Sequence, residues 1–246
     1  MSASAWSTIA NLATALGTLV LAVATFSAVR SSNLMAKVAQ QQLLIQLRPV
    51  LAPSRREDPA LKVNFGDLKW VTITGGGAVG EVDAGDGSMG SNTPVVYLAI
   101  ALRNAGNGIA VLQGWRFFPE AHRDTDHAPL EEFQRQTRDL YIPVGDVGFW
   151  QGAFRDTAAP GYEQARAAIE ARRPWSVELL YADHEGGQRA ISRFLALPVD
   201  HQVVAQPGDH QVVAQPGDHQ GQAWETKPGW LASASRHWSL DREDGS

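Results

Sequence analysis

Hydrophobic and polar positions divide the chain into one long apolar segment followed by a series of short alternating segments. Residues 9–29 contain no charged side chain. A helix of this length spans about 31 Å at ~1.5 Å per residue, which matches the hydrocarbon core of a bilayer. Trp6 precedes the segment, where an indole suits the headgroup region. The pattern predicts a transmembrane helix over residues 9–29, after a short extracytoplasmic N-terminus over residues 1–8.

Two other interpretations of the apolar segment stay open. A buried helix of a globular domain has the same apolar character. A cleaved signal peptide is suggested by Ala22-Val23-Ala24, which resembles an A-x-A cleavage site. Signal peptides begin with positive charge, however, and residues 1–29 contain no Lys or Arg. The sequence therefore favours a retained anchor.

The helical pattern continues past the apolar segment as a juxtamembrane helix over residues 30–48. Arg48-Pro49 is expected to end this helix, because the residue before a proline is disfavoured in the α region. Ala13 and Gly17 form a small-x-x-x-small pattern that lets two helices approach closely. A fragment of heptad spacing follows at Met35, Val38, Gln42 and Ile45. Both features are short, and they leave a homo-oligomer formed through this region as an open alternative to a monomer.

Basic residues set the predicted orientation of the anchor. Five Lys or Arg residues and no acidic residue lie between residues 30 and 56, whereas none precedes the apolar segment. Positively charged flanks remain on the cytoplasmic side of a membrane. We therefore expect a single-pass protein of the cell membrane, with its N-terminus outside, its C-terminal domain in the cytoplasm and the lipid bilayer as a partner.

Short alternating segments between residues 49 and 198 predict a β domain. Residues 94–103 alternate apolar with smaller or polar side chains. The next run, residues 109–118, places four apolar side chains on one face, at Ile109, Val111, Trp115 and Phe117. Further strands are predicted at residues 50–53, 61–65, 68–74, 140–143, 148–154, 175–182 and 190–197. One helix is predicted over residues 159–172. Such a series of short strands is typical of a β-sandwich, and an α+β fold with one sheet is the alternative.

A glycine-rich turn joins the two strongest strand candidates. Asn104-Ala105-Gly106-Asn107-Gly108 carries the Asn-Gly signal of a tight hairpin. With its flanks it resembles the N-x-G-x-G-x-A corner of immunoglobulin-like modules in uncharacterised bacterial membrane-anchored proteins. The order of one span, a Gln-rich helix, Arg-Pro and such a module is also similar to theirs. The resemblance implies an immunoglobulin-like β-sandwich over residues 49–198 on a membrane anchor, and it implies no activity.

Residues 199–246 are predicted to form a flexible tail. Residues 200–208 and 209–217 are identical copies, and a third copy begins at Asp218. An unvaried repeat indicates a recent duplication of coding sequence. Three tryptophans follow among Pro, Gly and Ser residues, at Trp224, Trp230 and Trp238. They favour either a docking peptide or the packed edge of a longer domain.

Composition and charge narrow the classes of function. The 246 residues are 44% hydrophobic and 19% charged, with no cysteine. The absence of cysteine excludes a disulfide framework, an all-thiolate zinc site and a cysteine nucleophile. Residues 57–198 carry 13 basic and 19 acidic side chains, a net charge of −6. This charge argues against nucleic acid as a partner, because phosphates need a basic surface.

The polar loop, residues 120–132, holds the strongest candidates for a metal site. Imidazole and carboxylate ligands for zinc or manganese are offered by His122, Asp124, Asp126 and His127. No ordered spacing such as H-E-x-x-H is present, and loops between strands are usually polar. We therefore predict no catalytic residue, no cofactor and no metal, and keep these four residues as the candidates if a metal is bound.

Other motif matches are predicted to carry no chemistry. Residues 75–80 match G-x-G-x-x-G, but an acidic, Gly-rich stretch follows where a nucleotide site needs a helix. We expect residues 75–93 to be a mobile loop. Residues 86–90 approach G-x-S-x-G, with Asp86 replacing the first glycine. His184 lies at a predicted hairpin tip, open to solvent.

These observations predict a non-enzymatic interaction or scaffolding module on a single-span anchor, acting on an unidentified protein partner. An envelope-facing binding or sensor domain is the alternative from another class. A metal-assisted hydrolase that uses the polar loop is the third hypothesis.

Overall fold

The computed structural model of the protein describes residues 3–67, 69–84, 93–204 and 225–241. The chain divides into two compact units, Met1–Gln46 and Leu47–Ser246. The first unit is helix α1, Ala3–Gln46. The second unit is the mainly β domain that the sequence predicts.

Helix α1 is continuous through the predicted transmembrane and juxtamembrane segments. Its stretch Thr14–Ala39 is long and apolar enough to cross a membrane, a property that signal sequences share. The hydroxyls of Thr18 and Thr25 each donate to the carbonyl oxygen four residues earlier at 2.8 Å, which satisfies them without water. The helix ends shortly before Pro49, as the Arg-Pro pair predicts.

The β domain contains eleven strands in its described residues. In chain order they are β1 (Leu51–Pro53), β2 (Leu61–Asn64), β3 (Trp70–Ile73), β4 (Gly77–Asp83), β5 (Val95–Asn104), β6 (Ala110–Phe118), β7 (Gln134–Ile142), β8 (Val147–Phe154), β9 (Trp175–Ala182), β10 (Ala190–Val204) and β11 (Glu225–Ser239). A short helix, α2 (Tyr162–Glu170), lies between β8 and β9, and a single 3-10 turn, Leu130–Glu132, lies in the polar loop.

All described strand pairs are antiparallel, and they form two sheets. The larger sheet has nine strands in the order β1-β5-β4-β11-β10-β9-β6-β7, and β8 pairs with β5. Strands β2 and β3 form the smaller sheet. The predicted mainly β fold behind one long apolar helix is therefore confirmed.

Strand β5 is buried on both faces, which explains its nearly continuous apolar sequence. Leu98 and Ile100 belong to the large core, which also contains Trp150 and Trp175. The side chains that alternate with them, such as Tyr97, face a second core. Strands β2 and β3 and the turn between them cover this second core with Val63, Phe65, Val71 and Ile73.

A bulge in β6 overturns the predicted face of that strand. Gln113 is an extra residue between two positions that pair regularly with β9, so the alternation of faces reverses there. Leu112 and Trp115 are consequently both buried, whereas Ile109 is 38% exposed. The prediction that Ile109 and Val111 share a face with Trp115 is wrong for this reason.

The predicted mobile loop over residues 75–93 contains strand β4, so the prediction is wrong for Gly77–Asp83. Glycines are typical of loops, but Gly80 is required here by close packing. A Cβ atom on Gly80 would lie 2.4 Å from Cδ1 of Ile169 and 3.3 Å from the indole nitrogen of Trp175. Residues 85–92, the rest of that prediction, lie outside the described residues.

The predicted flexible tail contains strand β11, so the boundary at residue 198 is wrong. Strand β11 pairs with β10 along most of its length and with β4 through Trp230 and Leu231. Trp230 is buried against Trp175, with ring centroids 6.0 Å apart. Of the two interpretations of the tail tryptophans, Trp230 fits the packed edge of a longer domain. Residues 205–224, with most of the repeat, lie outside the described residues.

Truncation of the β5 core face should destabilise the domain. We expect Leu98→Ala and Ile100→Ala each to lower the free energy of unfolding by ~2–5 kcal/mol, because both side chains are fully buried and leave cavities. The measurement is urea unfolding of the full chain in detergent, with tryptophan fluorescence as the readout. Leu197→Ala, at a strand position that is 37% exposed, is the matched control. Midpoints equal to wild type in both core variants would show that this face is not the core.

Candidate functional site

The Asn104 corner, residues 104–108, joins three parts of the β domain through one buried amide. The Asn104 side chain accepts hydrogen bonds from the backbone nitrogens of Val50 (3.3 Å) and Gly106 (3.0 Å). It donates to the carbonyl oxygens of Gly108 (2.6 Å) and Ile142 (3.0 Å). The residue is fully buried, and its bonds to the carbonyl oxygens of Gly108 and Ile142 are buried as well, so they satisfy backbone groups that water does not reach.

Both glycines of the corner are required by a close approach of the backbone. A Cβ atom on Gly108 would lie 1.6 Å from the carbonyl oxygen of Leu47, and one on Gly106 would lie 2.4 Å from that of Arg48. The corner therefore holds the first residues of the β domain. Its N-x-G-x-G sequence has a structural explanation that involves no catalytic group.

A second polar cluster holds the same residues from the sheet side. The Tyr181 hydroxyl accepts a hydrogen bond from the backbone nitrogen of Leu51 at 3.1 Å and lies 2.8 Å from the Ser192 hydroxyl. His237 Nδ1 lies 2.9 Å from that hydroxyl, and Nη2 of Arg48 lies 3.2 Å from His237 Nε2. Sequence analysis missed this cluster because its members are far apart along the chain.

The contact between Ser192 and His237 has the spacing of a nucleophile and its base. Ser192, however, is only 1% exposed, so a substrate carbonyl has no path to its hydroxyl. Arg48 donates to Nε2, which places the ring proton on Nδ1, facing the two hydroxyls. The arrangement is that of a structural network.

Acid should weaken this network. Burial, followed by the positive charge of Arg48, lowers the pKa of His237 below its ordinary 6.5. The neutral ring is thus favoured in the folded state, so its contribution to stability is complete above pH 6.5 and is lost as the pH falls through the lowered pKa. The groups that face the ring are Arg48, Tyr181 and Ser192.

We therefore expect the His237→Gln variant to lose less unfolding free energy on acidification than the wild-type protein loses. The measurement is the free energy of unfolding from pH 8 to pH 5 for wild type and variant. The control is His184→Gln, which makes the same substitution outside this network, at a half-exposed position in the turn between β9 and β10. A His237→Gln profile parallel to wild type would contradict the prediction.

A buried ion pair beneath the polar loop determines the conformation of that loop. Arg193 of β10 and Glu178 of β9 are 1% and 0% exposed, and Nε of Arg193 lies 2.9 Å from Oε1 of Glu178. The guanidinium also donates to the carbonyl oxygens of Asp124 (2.7 Å) and Asp126 (2.8 Å). Glu178 Oε2 accepts from the backbone nitrogen of Ala128 at 2.9 Å. The pair therefore fixes the loop backbone.

The four candidate metal ligands are placed as loop residues around this pair. The ring of His122 stacks on Phe118 with centroids 4.0 Å apart, and its Nε2 lies 3.5 Å from Oδ2 of Asp124. His127 directs Nδ1 to the Ala128 carbonyl oxygen at 2.7 Å. Asp126 contributes its carbonyl oxygen to Arg193, as above. Within the described ranges, no three His, Asp or Glu side chains are grouped as a metal site requires.

The stability losses from removing the two partners of the buried pair should be strongly coupled, because one partner alone leaves a buried charge without its counter-ion. Glu178→Gln leaves the Arg193 charge buried without its counter-ion, and we expect a loss of ~3–5 kcal/mol in unfolding free energy. The double variant Glu178→Leu/Arg193→Met removes both charges, so its loss should be smaller than the sum of the two single-variant losses. Urea unfolding of Glu178→Leu, Arg193→Met and the double variant measures this coupling, and strictly additive losses would contradict it.

A groove, the seam groove, opens between strands β7 and β8. Its volume is about 370 Å³, and its walls are residues of β7 and β8. Trp115 lies behind it, where Gly152 leaves room for the indole. A Cβ on Gly152 would lie 3.1 Å from the ring. The turn between β2 and β3 closes one end with Phe65 and Asp67, beside Arg155.

Charge is concentrated at the closed end of the seam groove. Arg155 donates to Oδ2 of Asp67 at 3.2 Å, and the Tyr97 hydroxyl donates to the same oxygen at 2.7 Å. Burial raises the pKa of Asp67, but these two partners outweigh burial and hold that pKa below its usual value. Burial and the Asp67 charge raise the pKa of Tyr97. Asp67 is therefore a carboxylate at neutral pH and Tyr97 a hydrogen-bond donor.

Three acceptor atoms beside the seam groove have no hydrogen-bond partner within the described part of the chain. They are Oδ1 of Asp67, Oε1 of Gln136 and Oε1 of Gln151. Gln151 is only 6% exposed. Sequence analysis missed this site, although a glutamine in the middle of the apolar strand β8 was a signal for it.

The remaining sequence motifs do not form sites in the described residues. The glycines of residues 75–80 lead from a turn into strand β4, with no helix after them. Ser88 and Asp86 lie outside the described residues. Comparison of the chain with protein-family models, curated proteins and solved structures finds no match.

Proposed function

We propose that the protein is a membrane-anchored interaction or scaffolding module without enzymatic activity of its own. The observation that carries the proposal is the direct connection of α1 to the β domain. The helix ends at Gln46, and the Asn104 corner and Tyr181 hold the residues that follow it. A domain so tied to an anchor is restricted to the membrane surface, which raises its effective concentration for a partner in the same membrane.

Exposed apolar side chains of α1 support the anchor. All of them are more than half exposed, and they need an apolar environment that water does not supply. They are Leu12, Leu16, Leu19, Val20, Leu21, Val23, Phe26 and Val29. The basic residues that follow, Arg30 and Lys37, support a cell-membrane anchor with its N-terminus outside and the β domain in the cytoplasm.

Two finer features belong to the same proposal. The sequence of the Asn104 corner supports assignment of the β domain to the immunoglobulin-like modules of bacterial membrane-anchored proteins. The small-x-x-x-small pattern of Ala13 and Gly17 supports a homo-oligomer, because small residues at this spacing let two helices approach closely.

The residues that resemble catalytic or metal-binding groups form structural contacts instead, and this supports a non-enzymatic role. Ser192 is buried beside His237, and the polar loop uses its carbonyl oxygens to hold Arg193. Each group serves the fold at its position.

Cysteine labelling in intact cells tests the proposal. The chain has no cysteine, so Ser2→Cys and Glu185→Cys give a clean background. Glu185 is 65% exposed in its turn. With a membrane-impermeant maleimide, we expect Ser2→Cys to be labelled in intact cells and Glu185→Cys only after permeabilisation. Both variants should be labelled in detergent, which controls for reactivity.

Other labelling patterns would contradict the proposal in distinct ways. Labelling of Glu185→Cys in intact cells would place the β domain outside and favour an envelope-facing binding or sensor domain. A shortened chain that has lost the Ser2→Cys label and leaves the membrane fraction would show a cleaved signal peptide.

A further inference from the structure

We propose that the seam groove binds an extended, acidic peptide segment of a partner protein. This inference rests on the proposed function as an interaction module, and it adds the surface and the chemistry of the partner. Strand edges, positive charge and unpartnered acceptors meet in this groove.

The walls of the groove are two strand edges. Within the described ranges, β7 pairs with β6 and β8 pairs with β5, and no strand is hydrogen-bonded to the second edge of either. Nε2 of Gln136 donates to the backbone oxygen of Gln151 at 3.1 Å, so a side chain joins the two strands in place of a ladder. Free edges present N–H and C=O groups that an extended peptide can pair with.

Arginines surround this groove in a domain that is acidic as a whole. Arg135 and Arg138 lie on β7 and Arg155 follows β8, whereas residues 57–198 carry a net charge of −6. Arg155 is paired with Asp67, and Arg138 donates to the carbonyl oxygen of Asn64 at 2.6 Å. Arg135 is exposed at the groove wall. Acidic side chains complement this local charge.

The unpartnered acceptors suit a ligand that also donates hydrogen bonds. Charged residues on a strand edge can serve only to prevent aggregation, which would explain Arg135. That role leaves Gln151 unexplained, because a buried acceptor without a partner costs stability. A peptide backbone supplies N–H donors for such acceptors while its carboxylates contact the arginines. The groove volume suits a few residues of such a segment.

Peptide binding to the full chain tests the inference. The chain is placed in nanodiscs of zwitterionic lipid, and the probe is a fluorescent octapeptide of alternating Glu and Val. One comparison peptide replaces Glu by Lys, and another carries N-methyl groups on alternate backbone nitrogens. Fluorescence anisotropy should show binding of the acidic peptide alone, because the Lys peptide reverses the charge and N-methylation removes backbone donors.

Two protein variants assign the binding to the seam groove. Arg135→Glu should weaken binding about tenfold, as expected for one charge-assisted hydrogen bond. Arg173→Glu makes the same charge change at an exposed position beyond α2 and should bind like wild type. Gln151→Met removes the unpartnered acceptor at similar volume, so it should weaken binding while the unfolding midpoint stays equal to wild type or rises. A purely structural glutamine would lower the midpoint.

Several results would overturn the inference. These are absence of binding, equal binding of the Lys peptide, and equal weakening by Arg135→Glu and Arg173→Glu. Binding of Arg135 to anionic lipid, seen as protection of β7 from hydrogen exchange in phosphatidylserine nanodiscs but not in zwitterionic ones, would assign the arginines to the membrane instead. Peptide binding by a domain that labelling places outside the cell would refute only the cytoplasmic location. Failure of peptide binding with the expected topology would refute only the seam groove.

Discussion

The side chain of Asn104 forms hydrogen bonds with backbone groups from three parts of the chain. They are the segment before β1, the turn after β5 and the end of β7. Only the side-chain amides of Asn and Gln offer two donors and a carbonyl acceptor in one plane, and Asn is the shorter of the two. Loss of this amide would leave buried backbone groups unpaired, each at a cost of ~1–3 kcal/mol. The path of the chain from α1 into the sheet therefore depends on one residue and on the two glycines that make room for it.

Most of the fold could be predicted from local patterns. Two strands, β4 and β11, were not predicted, and each has a physical reason. Sequence analysis did not predict strand β4, because its glycines are typical of loops. One of them, Gly80, in fact provides room for Ile169 and Trp175. Strand β11 was not predicted, because its Pro, Gly and Ser residues and the repeat before it are typical of a flexible segment. Sequence periodicity reports the alternation of one strand, whereas these strands are determined by neighbours far away in the chain.

The candidate sites were less predictable for the same reason. The polar loop was visible in the sequence, but the residue that organises it, Arg193, is recognisable only as a charge inside the apolar strand β10. The cluster at His237 brings together residues from opposite ends of the domain. The seam groove brings the turn between β2 and β3 to strands β7 and β8. Their chemistry follows from sheet order, which no spacing along the chain encodes.

The position of β11 also has a consequence for the order of events during synthesis. Strand β4 emerges early, but its neighbour β11 belongs to the last part of the sheet to be made. A ribosome must therefore release nearly all of the domain before the sheet can be completed, and until then β4 and β10 each retain an open edge. Helix α1 emerges long before that moment. In this protein the helix that is long and apolar enough to cross a membrane is exposed while the domain behind it is still unfolded. Insertion of that helix would therefore precede folding of the domain.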